Sequence, residues 1–125
     1  MSVVYDAGAL IAADRGDRRM WADHRARLEL GLVPITTAPA VAQVSRAPRQ
    51  TQLHRLLRGC LVESFDAAHA TGVGELLAKA GSSDVLDAHV VLIAVRAHAT
   101  VLTSDPDDLQ RLSDALPERV GIRVV

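Results

Sequence analysis

Residues 84–105 read Asp84-Val-Leu-Asp-Ala-His-Val-Val-Leu-Ile-Ala-Val-Arg-Ala-His-Ala-Thr-Val-Leu-Thr-Ser-Asp105. Ser82-Ser83-Asp84 is a capping signal. It predicts a strongly apolar helix over 85–98, with residues 85, 86, 90, 93, 94 and 97 as its core stripe. Thr100-Val-Leu-Thr103 predicts a strand, and Ser104-Asp105-Pro106 a turn. A helix of this length feeding a short apolar strand is a crossover unit, which favours parallel pairing. The apolar run Val90–Val95 is far short of a membrane span.

The same alternation extends outward in both directions. Ser2–Tyr5 predicts a buried strand, Asp6 follows it, and 7–13 predicts a first helix. Asp17 is placed to cap an exposed helix over 18–30, ended by Gly31. A strand is expected over 33–37. Ala38-Pro39 opens a helix carrying Val41, Gln43, Val44 and Arg46, which Ala47-Pro48 breaks. A helix over 49–58, a strand over 60–65, a helix from Asp66 to Ala80, a helix over 107–116 and a strand over 121–125 complete the pattern. The expected fold class is α/β, a three-layer α/β/α sandwich with a central, mostly parallel sheet, formed by a single domain over 1–125.

Composition narrows the function. The chain has 125 residues, 49% apolar and 23% charged, which suits one soluble globular domain and excludes disorder as its main state. Tyr5, Trp21 and Phe65 are the only aromatics, too few for a base-stacking platform. Cys60 is the only cysteine, so neither an intramolecular disulfide nor a zinc knuckle can form. No secretory signal is visible, and the expected compartment is the cytoplasm. Net charge is −1, unlike a basic nucleic-acid coat. The charge is nonetheless uneven: nine arginines and three acids lie between Arg15 and Arg58, seven acids and two arginines between Asp84 and Glu118.

Asp6 and Asp105 each follow a predicted strand, while Asp84 and Asp87 open the apolar helix. In an open parallel sheet, strand ends and helix starts share one edge, and ligands bind there. Clustered carboxylates repel unless a cation lies between them. Their hard oxygens suit Mg²⁺ or Mn²⁺, ions able to activate a water and to stabilise the charge of an attacked phosphodiester. Each acid alone has a structural role open to it: Asp6 and Asp84 as caps, Asp87 as a first-turn dipole partner, Asp105 as a turn residue.

Three segments, Val3-Val-Tyr-Asp6-Ala-Gly-Ala-Leu-Ile, Asp84-Val-Leu-Asp87-Ala-His-Val-Val and Val101-Leu-Thr-Ser-Asp105-Pro-Asp-Asp-Leu, resemble the PIN-domain family. They are similar in particular to VapC-type toxins of type II toxin–antitoxin pairs. The resemblance covers the whole chain, and its last segment is the most specific. It implies an endoribonuclease dependent on Mg²⁺ or Mn²⁺, dimeric, and held inactive by a VapB-type antitoxin. It implies Asp6, Asp87 and Asp105 as catalytic metal ligands, with Asp108 as an additional acid. One position departs: where the family carries a glutamate, this chain has Gln43. A glutamine carbonyl still ligates a hard cation, but without charge. A second reading is therefore a catalytically weakened or inactive PIN-like module that binds RNA or antitoxin.

The arginines of helices 18–30 and 49–58 are candidates for RNA phosphate contacts, tRNA among the substrates considered. Arg46, one turn after Gln43, is the best single candidate, and the Ser104 hydroxyl is placed to orient a water. The five histidines are expected to be structural or on the surface. A phosphoacceptor receiver-like domain also clusters aspartates in a parallel sheet, but Asp6 is followed by Ala7-Gly8, and Lys79, the only lysine, lies mid-chain.

Overall fold

Every predicted strand is present in the computed structural model, which describes residues 2–125. The strands are β1 (Val3–Tyr5), β2 (Ile35–Thr37), β3 (Leu61–Glu63), β4 (Thr100–Thr103) and β5 (Ile122–Val124). The helices are α1 (Ala7–Asp14), α2 (Arg18–Glu29), α3 (Ala38–Val44), α4 (Thr51–Arg58), α5 (Ala67–Ala80), α6 (Val85–Ala97) and α7 (Pro106–Asp114). The sheet order is β3-β2-β1-β4-β5, and all four pairings are parallel. The expected mostly parallel sheet is thus wholly parallel.

Alternation along the strands builds a core on each face. Val4 and Val101 point to one side, into a cluster with Val73, Leu76, Val90, Ile93, Leu109 and Leu112 from α5, α6 and α7. Val3, Tyr5 and Leu102 point to the other, against Leu10, Met20, Val44, Leu53 and Leu56 from α1 to α4. The product is the three-layer sandwich. Its aliphatic cores follow from the scarcity of aromatics. Tyr5 is the exception, fully buried, with its hydroxyl 2.9 Å from His24 Nδ1. Burial pushes that hydroxyl up to about 12, against the lowering influence of Arg27.

Two local expectations are corrected. Val85 is 47% exposed rather than part of the α6 stripe, while Ala88, His89, Val90 and Val91 are buried. The reason is that α6 packs against α5, α7 and the sheet together, so no single stripe describes it. Helix α3 ends at Val44, before Arg46: Ser45 is extended (ψ 116°), and its hydroxyl donates to the Val41 carbonyl (2.7 Å).

Candidate functional site

The sheet order reverses between β1 and β4. The chain steps outward from β1 to β2 and β3, then returns to the other side of β1. Such a switch point opens a crevice at the carboxyl edge, and Asp6 and Asp105 flank this one. The Asp6 amide donates across it to the Leu102 carbonyl (3.2 Å). Asp6 is only 5% exposed and caps α1, its Oδ1 accepting from the Ala9 amide (3.0 Å). Burial raises its pKa, the Thr103 hydroxyl and the Ala9 and Gly8 amides lower it, and the charge of Asp105 raises it again.

Asp87 is half-buried in the first turn of α6. Burial pushes its carboxyl up to about 7, helped by the charges of Asp84, Asp6 and Asp108 and a hydrogen bond with Asp84. Asp84 is exposed and caps the helix, accepting from the Asp87 amide (3.0 Å). Asp105 stands at the cap position of α7 without making a cap bond, so its exposed carboxylate is uncommitted. The charge of Asp105 thus reaches Asp6, and those of Asp6 and Asp108 reach Asp87.

Among the described residues, no three acidic, histidine or cysteine side chains already stand as a metal-ligating group. Mg²⁺ needs only one or two direct carboxylates beside its waters. The donor set, oxygen-only and anionic, fits a hard divalent cation.

Gln43 and Arg46 lie elsewhere on this side. Both are exposed and line an open groove of about 430 Å³ with Ile11, Asp14 and Arg15, further along α1 than Asp6. Gln43 makes no side-chain hydrogen bond among the described residues. Arg46, outside the helix, turns its guanidinium back to donate to the Ser45 carbonyl (3.0 Å) and the Ala42 carbonyl (3.4 Å). Ser104 is exposed beside Asp105.

Two positioning residues escape sequence reading. The Thr103 hydroxyl, fully buried, accepts from the Asp105 amide (3.0 Å) and also stabilises the Asp6 carboxylate. Gly8, in the first turn of α1, lies so close to the β4–α7 turn that a Cβ there would fall 2.8 Å from the Ser104 nitrogen. The signal was its place two residues after Asp6, but only the β1–β4 pairing reveals the contact.

Known structures with this arrangement supply a comparison. VapBC2 from Rickettsia felis, bound to a DNA fragment from its promoter, superposes with TM-score 0.70 at 15% identity, over 100% of this chain and 99% of that one. The fold is PIN-like. FitAB bound to the IR36 DNA fragment gives 0.66 at 16%, over 98% and 94%. PAE2754 from Pyrobaculum aerophilum gives 0.61 at 16%, over 97% and 89%. No family model and no curated protein matches the sequence. At these identities the PIN-like likeness is one of fold, and the acids must speak for the chemistry.

Proposed function

We propose that this chain is a VapC-like endoribonuclease that hydrolyses RNA phosphodiester bonds with Mg²⁺ or Mn²⁺. The observation that carries the reading is the placing of acids at the switch point: Asp6 and Asp105 follow the paired strands β1 and β4, and half-buried Asp87 feels the charges of Asp84, Asp6 and Asp108. A fold has little reason to gather acids against their own repulsion unless a cation or a proton is to be held there. Asp6, Asp87 and Asp105 are the residues to hold the ion, with Asp108 beside them, while Gln43 lines the separate groove further along α1. The ion supplies activation of water and neutralisation of charge at the scissile phosphodiester. Asp6 is fixed by its cap bond and by Thr103, so it presents a set oxygen toward the crevice. Asp87, near its midpoint at neutral pH, holds or releases a proton at its carboxylate. Asp105 keeps its carboxylate free of backbone duty, with the Ser104 hydroxyl beside it to orient a water.

The likeness to VapBC2 and FitAB supports a VapC-like role with a VapB-type antitoxin as partner, and the proposal takes the chain to act as a homodimer. No described helix is long and apolar enough to cross a membrane. A second reading, a PIN-like module without catalysis, is favoured by Gln43, neutral and exposed where the family carries a glutamate.

The test is cleavage of a structured RNA pool, tRNA included, by partner-free protein in Mg²⁺, in Mn²⁺ and in chelator. Metal-dependent cutting that disappears in Asp6→Asn and Asp87→Asn supports the nuclease. Folded protein that cuts nothing, even as Gln43→Glu, supports the binding module.

A further inference from the structure

Away from the acids, α2 and α4 meet in an open groove of about 360 Å³ lined by Arg18, Trp21, Arg25, Gln52 and Arg55. The three arginines are exposed. None of them has an acidic partner: among the described residues, the sole pairing of a carboxylate with a basic side chain joins Asp66 to His69 (3.1 Å). The chain has 15 acids for its 14 basic residues, yet spends none on these three. Arg18 and Arg25 share one face of α2 but stand about 10 Å apart along its axis. A single small anion cannot satisfy both, whereas a chain of phosphates can.

Arg55 is held in place. Its guanidinium lies over the Trp21 ring, 4.7 Å from the centroid, and donates to the Gln52 side-chain oxygen (3.3 Å). The indole is itself anchored, its Nε1 donating to the Ala13 carbonyl (2.9 Å). A pre-set guanidinium plane with donors to spare suits a phosphate, or a base stacked on its outer face. That feature favours a nucleic-acid strand, which brings a planar base with every phosphate, over a run of Asp and Glu, whose side chains bring carboxylates without rings.

The groove is separate from the acid edge. Gly16 lines it just past the end of α1, whereas Asp6 caps the start of that helix. Eight residues of helix, about 12 Å, lie between them. From this placement we infer that the α2–α4 groove binds the phosphodiester backbone of a single nucleic-acid strand. Arg18, Arg25 and Arg55 take successive phosphates at a distance from the carboxylates. The inference does not rest on the nuclease reading, because backbone binding needs neither metal nor cleavage.

The experiment is fluorescence anisotropy in chelator with a labelled oligouridylate of about twelve nucleotides, within the usual range of single-strand sites. Each lost phosphate contact removes about 0.7 from the slope of log affinity against log salt. Arg18→Gln/Arg25→Gln, which leaves the Arg55–Trp21 stack intact, is expected to lose about 1.4 from that slope, with an unchanged melting temperature. Arg18→Lys/Arg25→Lys is expected to keep it. Oligothymidylate of equal length, run in parallel, distinguishes backbone recognition, where both slopes fall, from a ribose-dependent contact, where only the RNA slope falls. An unchanged slope in the Gln variant overturns the inference. So does an oligoglutamate of equal charge that binds more tightly than RNA and loses more in that variant. Absence of RNA cleavage leaves this result untouched, and loss of the slope leaves cleavage by the acids to be judged separately.

Discussion

Two groups of like charge stand on this molecule, and they differ in how much water reaches them. At the switch point, Asp6 is buried and Asp87 half-buried. Burial raises both pKa values, and the charges of neighbouring acids add to it. In the α2–α4 groove, Arg18, Arg25 and Arg55 are exposed, and water screens them from one another. Like charge therefore strains the acid edge while costing the arginine groove little. A buried cluster trades stability for a task, whereas an exposed one is available to a partner without threatening the fold.

The largest effect is expected at Asp6. Asp6→Asn keeps the cap oxygen but removes the charge, and RNA cleavage should fall by at least about 100-fold, the upper range for an outer-shell partner of a metal. Cleavage rates on purified variant and parent check this. Gly8→Ala is next. Its Cβ has no room beside Ser104, so the variant should lose about 1–3 kcal/mol of stability and part of its activity, read by urea melts and cleavage together. Gly74→Ala, in α5 with nothing nearby, should instead gain about 0.5–1 kcal/mol.

Asp87 makes the acid edge respond to pH. Its folded pKa of about 7 lies above the ordinary 3.8, so the folded state holds more protons than the unfolded state between those values. Stability should fall as pH rises through that window and level off above it. Asp87→Asn should flatten the fall and melt higher than the parent at pH 8 while cleaving less, a combination that calorimetry and activity would show together. The smallest effect belongs to the other region: Arg18→Gln/Arg25→Gln should shift stability by less than about 0.5 kcal/mol at any pH.

Much of this was legible in the sequence because its signals are local. Short β-branched runs such as Val3–Tyr5 and Thr100–Thr103, each followed by an aspartate, mark strand ends, and strand ends in a parallel sheet share an edge. Asp17, Asp66 and Asp84 announce helix starts by capping, as observed. What stayed hidden depends on packing between distant segments. His89 is completely buried against Phe65 and His69, because α6 is covered on several sides. Arg46 leaves its helix because Ser45 turns extended and the Arg46 amide donates to the Gln50 side-chain oxygen (2.7 Å) instead of a helical carbonyl. The convergence of Arg18 with Arg55, and of Gly8 with Ser104, has no counterpart along the chain.

If the proposed function holds, the switch-point acids bind a divalent cation. Calorimetric titration of Mn²⁺ into partner-free protein at pH 7 tests it directly, in two buffers of different ionisation enthalpy. The account predicts saturable binding that releases protons, since Asp87 is near its midpoint there, and that is lost in Asp6→Asn and in Asp105→Asn. Absence of saturable binding, or binding undiminished in both variants, would contradict it.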